Sequence, residues 1–251
     1  MTLDDLPVVR AVPSVTASQM AEVDRITIEE FHIPVDVLME NAGRQTAASA
    51  RAFLGGTVAD KRVIGLVGSG NNGGDTAAAL RHLINWGARV GAEVAAPQER
   101  VRETTRTQIG RLLLATYSRI AVVHEAWQEG PGDLEADLII DGLLGYSARG
   151  APRGPVADLI DAANGSEVPI LAVDLPSGID PDGAATPGTA IHAAATVTLA
   201  LPKAGLLAAG ANAYVGYLLL ADIGIPHAAF TRIGVDTRRV FELGDLVHVV
   251  I

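Results

Sequence analysis

Residues 67–76 read Val-Gly-Ser-Gly-Asn-Asn-Gly-Gly-Asp-Thr. Gly68, Gly70 and Gly73 carry the G-x-G-x-x-G spacing of a dinucleotide-binding turn, where amides at a helix start approach a phosphate. Asp75 runs against that reading. The helix dipole stabilises it, but its charge would repel a pyrophosphate seated at the same amides. Asn71, Asn72 and Asp75 suit a cage of polar ligands better than a phosphate turn, although a tight glycine turn capped by Asp75 would look the same. Glu93 falls about 20 residues on, where an acidic ribose ligand lies in dinucleotide folds. It is followed by Val94-Ala95-Ala96 and reads as a residue inside a strand rather than at its tip.

Three more chemically capable groups end apolar runs. Asp141 closes "LIID" and suits either a ligand or a turn where the strand meets its glycine. Asp174 closes "ILAVD" before Leu-Pro-Ser-Gly. There Pro176 stiffens the turn, Ser177 offers a hydroxyl and Gly178 permits close approach, so Asp174 is placed to exchange protons with a ligand. Lys203, between "TVTLAL" and "AGLL", must reach a site or snorkel to solvent, and the site is the better reading. Arg149 and Arg153 offer cations for a phosphate, or stand unpartnered on the surface. Asp180 and Asp182 read as ordinary loop acids. Glu40 and Asn41, on an early helix, either pack against the sheet or line the pocket. The histidines show no metal-ligand spacing.

The elements that must position these groups alternate. Thr16-Ala17-Ser18-Gln19 is a capping box, with Val15 and Met20 as its hydrophobic staple, and predicts a helix to about Phe31, apolar at Met20, Val23, Ile26 and Ile28. Pro34 opens a second helix that Gly55-Gly56 ends. From residue 61 onward the pattern is strand, helix, strand: "RVIGLVG", "TAAALRHLINWG", "ARVGAEVAA", a helix over 98–118, "IAVVH" over 120–124, "ADLIIDGLLG", a helix over 155–163, then "VPILAVDLPSG", "ATVTLALPKAG" and "GYLLLADIGIP". Such alternation predicts a mostly parallel sheet covered on both faces, behind a helical N-terminal extension. Parallel sheets put their sites in the loops past the strands' carboxyl ends. The loops "GSGNNGGDT", "DGLLGYSARGAPRG", "DLPSGIDPDG" and "LPKAG" should therefore converge.

Composition agrees. The 251 residues are 49% hydrophobic, 19% charged and 4% aromatic, as expected of one compact soluble domain with an aliphatic core. The net charge of −10, with no Lys/Arg cluster, argues against nucleic acid or an anionic membrane as partner. With no cysteine there is no disulfide framework, thiolate metal site or cysteine nucleophile. The acidic start "MTLDDLPVVR" lacks signal-peptide features, and a cytoplasmic location is expected.

Taken together, "SQMAEVDRITIEEFHIP", "LMENAGR", "GSGNNGGD" before "AALRHL", "IIDGLLGYSARGAPRGP", "VDLPSGIDPDG", "ATVTLALPKAG" and "ADIGIP" resemble, in order, the YjeF N-terminal domain family. The resemblance covers about residues 16–226 of a single domain spanning 1–251. It implies a three-layer αβα Rossmann-like sandwich, a homodimer, and epimerisation at C6 of NADHX and NADPHX, the hydrated nicotinamide coenzymes. A separate dehydratase then restores the S epimer to NAD(P)H. The resemblance also implies that Asn71, Asn72, Gly73, Gly74 and Asp75 contact this substrate, together with the loop Gly145, Tyr146, Ser147, Ala148, Arg149, Gly150 and Ala151, and Asp174. A potassium ion would be held by Asn72, Asp141 and Ser177, a set of hard oxygen donors. Asp174 is the expected acid and base, with Lys203 tuning its charge or orienting water. The chain departs from the family's usual glycine loop at Ser69, which replaces Pro, and at Thr76, which replaces Gly. Residues 227–251 match none of these motifs. A nicotinamide dehydrogenase and a non-catalytic nucleotide-binding module are the competing readings.

Overall fold

The computed structural model describes residues 1–115, 121–183 and 185–250. Its strands are β1 (Val8–Arg10), β2 (Arg62–Val67), β3 (Arg89–Val94), β4 (Ala121–His124), β5 (Leu138–Gly142), β6 (Ile170–Val173), β7 (Ala195–Leu199), β8 (Tyr217–Ala221) and β9 (Leu246–Val250). They form one sheet in the order β1-β9-β8-β7-β6-β5-β2-β3-β4, parallel throughout except for β8 against β9. The principal helices are α1 (Ala17–Glu29), α2 (Val35–Phe53), α3 (Asn71–Asn85), α4 (Glu103–Ala115), α5 (Ala126–Glu129), α6 (Pro155–Gly165), α7 (Asn212–Val215) and α8 (His227–Thr231). The expected three-layer α/β sandwich is present.

The layers follow from the alternation of side chains along each strand. On β2, Val63 and Val67 point into one core with Leu80 and Leu83 of α3, while Ile64 and Leu66 point into the other with Leu159 and Ile160 of α6. Strands buried on both faces must be apolar at every position, which is why "LII" of β5 and "ILAV" of β6 show no alternation.

Local signals fixed most element ends. Thr16 Oγ1 accepts from the Gln19 amide and the Gln19 side chain returns a bond to the Thr16 amide, the capping box expected. Gly55 and Gly56 end α2 with φ of +83° and +91°, values that only glycine adopts easily. The predicted helix over 98–118 instead starts with a 3-10 turn at Gln98–Arg100 and becomes α-helical at Glu103. Its residues 116–118, and residue 120 of the next predicted strand, lie outside the described residues.

Two expectations need correction. The sheet does not begin after the helical extension: Val8–Arg10 is already a strand, paired parallel with β9. Residues 246–250, matched to no motif, form β9 between β8 and β1. Both strands are short: β9 takes its place against β8, and β1 takes its place because β9 pairs with it.

Strand order reverses between β2 and β5. From β2 the chain steps outward through β3 to β4, then returns beside β2 with β5 and continues the other way through β6, β7 and β8. The loops leaving β2 and β5 therefore part in opposite directions, and a crevice opens between them at the carboxyl end of the sheet.

Candidate active site

That crevice is a cavity of about 460 Å³. Its walls are Ser69, Gly70, Asn71, Asn72 and Asp75 from the glycine loop and α3, Leu143–Ala148 from the loop after β5, Asp174 after β6, and Leu199 and Lys203 at the end of β7. Met20, Asp24 and Ile28 of α1 close another side, and Arg100 and Arg102 stand on the loop after β3. The four loops predicted to converge do so, although the fourth contributes chiefly through Lys203.

Gly68, Gly73 and Gly74 of the first loop serve packing. A Cβ on Gly68 would lie 1.9 Å from the carbonyl oxygen of Leu143, and one on Gly73 would lie 2.1 Å from that of Gly68. These contacts bring the β2 and β5 loops together and fold the start of α3 over its own strand. Gly74 is pressed against Met39 of α2 and Thr105 of α4. Gly73 and Gly74 thus lie beneath the cavity wall. Thr76 turns its side chain toward the sheet: Oγ1 donates to the Asn72 carbonyl at 3.0 Å and packs where Gly142 lacks a Cβ. The β-branched residue therefore stays out of the cavity.

Asn72, on the cavity wall, and Asp141 and Ser177 beneath it form one connected group. Asn72 Nδ2 donates to the Leu144 and Val173 carbonyls at 2.9 and 2.8 Å. Asp141, with no exposed surface, accepts from Ser177 Oγ at 2.7 Å, the Ser177 amide at 2.8 Å and the Leu143 amide at 3.2 Å. Ser177 Oγ in turn accepts from the Leu144 amide at 2.9 Å. Burial pushes the Asp141 carboxyl up to about 6, the hydrogen bonds opposing it.

Asp174 and Lys203 form an ion pair with side chains 6% and 1% exposed. Lys203 Nζ also donates to the Leu199 carbonyl at 3.0 Å. An ammonium this deeply buried needs such partners, so the lysine points into the site and does not snorkel. Asp174 has φ of +68°, an uncommon conformation for a residue with a side chain, and its amide donates to Val197 at 2.8 Å. The left-handed twist turns its side chain off the strand line toward Lys203. Asp75 enters the same space from α3. Among the described residues nothing hydrogen-bonds its carboxylate, and burial, reinforced by Asp174 and Asp24, holds its pKa well above the ordinary value.

Other candidates lie elsewhere. Arg149 folds back to donate to the Tyr146 and Ala148 carbonyls, both at 2.8 Å, and with Gly150 lines a side pocket of about 70 Å³. Ala151 packs near Gly188. Glu40 bonds Arg81 and His82 of α3, and Asn41 donates to the Ile223 carbonyl; both therefore join elements and lie off the cavity wall. Glu93 is buried within β3, bonded to His124. Asp182 is more than a loop acid: its Oδ1 accepts from the Ala17 amide at 2.6 Å, tying the start of α1 to the loop after β6. Asp24 of α1, within "SQMAEVDRITIEEFHIP" but given no role by that motif, faces the cavity and accepts a hydrogen bond from Tyr146 Oη at 2.5 Å. The spacing of Met20, Asp24 and Ile28, which share a helix face, is the signal that could have singled it out.

The chain was compared with known proteins. It is 38% identical over 240 residues to the NAD(P)H-hydrate epimerase of Dehalogenimonas lykanthroporepellens, covering 95% of this chain and 94% of that one. It is 34% identical over 216 residues to the NAD(P)H-hydrate epimerase of Rhodopirellula baltica, covering 86% of each. Against the bifunctional NAD(P)H-hydrate repair enzyme Nnr of Moorella thermoacetica it is 38% identical over 219 residues, but spans only 40% of that longer protein. The crystal structure of yeast ynu0, YNL200c, superposes with a TM-score of 0.76 at 22% identity, covering 94% of this chain and all of that one, and so shares its fold. Residues 35–205, from the start of α2 to just past Lys203, match the family described as YjeF-related protein N-terminus, and the chain belongs to that family.

Proposed function

We propose that the protein is an NAD(P)H-hydrate epimerase, interconverting the R and S forms of NADHX and NADPHX at C6. The observation that carries this reading is the buried Asp174–Lys203 pair facing a dinucleotide-type crevice, in a chain that matches epimerases over nearly their whole length. The reaction is not a redox step, so the coenzyme is substrate. Its ring nitrogen expels the C6 hydroxyl once that oxygen is protonated, which leaves a planar iminium, and water returns to the opposite face. Asp174 is the acid for the departing C6 hydroxyl and, in the reverse direction, the base, and Lys203 fixes its orientation.

Ser69, Gly70, Asn71, Asn72 and Asp75 of the first loop, with residues 145–148, hold the rest of the dinucleotide. Asn72, Asp141 and Ser177 would hold a potassium ion. The fit is supported by a buried Asp141 carboxylate with no cationic partner among the described residues and by Asn72, whose amide nitrogen is committed to two carbonyls and whose oxygen no described residue hydrogen-bonds. When bound, the ion would neutralise that carboxylate and order the two loops. A homodimer and a cytoplasmic location belong to the same proposal, as does coupling to a dehydratase on another chain. No described helix is long and apolar enough to cross a membrane.

The decisive experiment incubates R-NADHX with the protein and excess S-specific dehydratase and follows the return of NADH. Recovery faster than spontaneous epimerisation is expected, and recovery at the spontaneous rate overturns the reading. In the same assay Asp174→Asn should lower kcat about 10²- to 10⁴-fold. A wild-type rate in that variant removes Asp174 from the role.

A further inference from the structure

Epimerisation through a flat cation needs proton transfer on two sides. One group hands a proton to the departing hydroxyl, and another takes one from the water arriving at the opposite face. The Asp174–Lys203 pair supplies one of these from the end of the sheet. A second titratable pair enters from α1 and the loop after β5.

Asp24 projects from the cavity-facing stripe of α1, and Tyr146 Oη donates to its Oδ2 at 2.5 Å. The Tyr146 ring lies against Lys203, whose Nζ is 5.8 Å from the ring centroid. The phenol therefore stands close to the Asp174–Lys203 pair while being held from another element. Desolvation raises the pKa of Asp24, and desolvation together with the Asp24 charge raises that of Tyr146. A hydroxyl that keeps its proton beside a carboxylate with enhanced proton affinity is the arrangement of a relay.

Resting on the epimerase reading, we propose that Tyr146 and Asp24 form the second acid–base unit, with Tyr146 meeting the oxygen at C6 on the ring face away from Asp174 and Asp24 taking the proton. The Asp174–Lys203 pair gives a proton to the departing hydroxyl, and the C6–O bond breaks with its electron pair leaving in water. The nitrogen lone pair forms the C6=N1 bond. Water then attacks the other face: its lone pair forms the new C6–O bond and the C6=N1 pair returns to nitrogen. One water proton passes to Tyr146 Oη while the phenolic proton moves to Asp24 Oδ2. One proton has crossed the site and no electron is gained or lost. The reverse reaction carries it back, or exchange with solvent resets the pair. Tyr146 is the catalytic group and Asp24 positions it and stores its proton.

The test uses the full chain with R-NADHX and excess S-specific dehydratase. Tyr146→Phe and Asp24→Asn should each lower kcat 10²-fold or more with KM changed less than about twofold. Asp24→Glu should recover part of the loss, since a carboxylate is restored. Asn at position 24 still accepts the Tyr146 hydrogen bond but takes no proton, so its loss separates relay from packing. The pH profile of kcat should lose one limb in Asp24→Asn. The other charged groups facing the pair are Asp75 from α3, Asp174 and Lys203 from the sheet end, and Arg102 from the loop after β3. A wild-type kcat in Tyr146→Phe, or a loss in either variant confined to KM, overturns the inference. Tyr146→Phe removes a single oxygen and decides the matter even where Asp24→Asn fails to fold. Failure of the wild-type protein to accelerate epimerisation overturns the epimerase reading instead.

Discussion

At the scale of single residues, the site is a set of charges that tolerate burial only in each other's company. Lys203 and Asp174 pair with one another in the cavity wall, and removing one partner leaves the other charged and desolvated. Lys203→Met should therefore cost about 3–5 kcal/mol of stability. Adding Asp174→Asn to it should recover much of that loss, and chemical denaturation of both variants would measure the difference. Neither should epimerise, so stability and activity separate in the double variant. Thr76 belongs to the same scale. Its side chain fills the space left by Gly142 and is not available to the ligand. Thr76→Val should lose the bond to Asn72, at about 0.5–1.5 kcal/mol, while leaving KM for the dinucleotide unchanged.

At the scale of elements, the crevice depends on how closely two loops and two helices approach. Gly73→Ala places a methyl group against the Gly68 carbonyl, and overpacking of this kind costs about 1–3 kcal/mol. It should lower the melting temperature and raise KM, because the start of α3 must move off β2. Asp182 holds α1 by its first amide. Asp182→Ala should cost about 0.5–2 kcal/mol, as loss of a helix cap does, and should weaken the wall that carries Asp24. A surface cluster ties β3 to β4: His124 bonds Glu93 at 2.7 Å and Glu129 at 3.0 Å. These bonds, Glu93 foremost, raise the His124 pKa above its usual value. The contribution is thus present below the unfolded histidine pKa, about 6.5, and is lost as pH rises through the higher folded value. It should stay below about 1 kcal/mol, because the His124 ring is itself open to solvent. NMR titration of the His124 ring checks the direction, and a midpoint at or below 6.5 contradicts it.

At the scale of the whole molecule, the sheet is one body with the site at its switch point. The β7 strand that leads to Lys203 pairs with β8, and β8 is in turn paired with β9, which also holds β1. Truncation after Asp245 exposes the apolar edge of β8 and leaves β1 unpaired. It should lower the melting temperature sharply and reduce activity, although no site residue is removed. Potassium acts on the folded state alone if Asn72, Asp141 and Ser177 bind it. Raising it to about 100 times its dissociation constant should then add about 2.7 kcal/mol of stability. Sodium or choline chloride at equal ionic strength should not, and thermal melts in the three salts decide the point.

The sequence by itself determined the α/β class, the αβ alternation, the capped start of α1 and the loops that converge, because each rests on short-range pattern. Periodicity, a capping box and glycine punctuation act within a few residues. It also carried the dinucleotide-type turn and the motifs of the family. Only the tertiary structure decided what those residues touch. That Lys203 meets Asp174, that Asp182 caps α1 and that Tyr146 reaches Asp24 are contacts between groups 29, 165 and 122 residues apart, about which local pattern says nothing. The edge strand β1 and its neighbour β9 escaped for the same reason. Three and five residues long, they have too little pattern to be recognised alone, and become strands because the rest of the sheet offers them backbone partners.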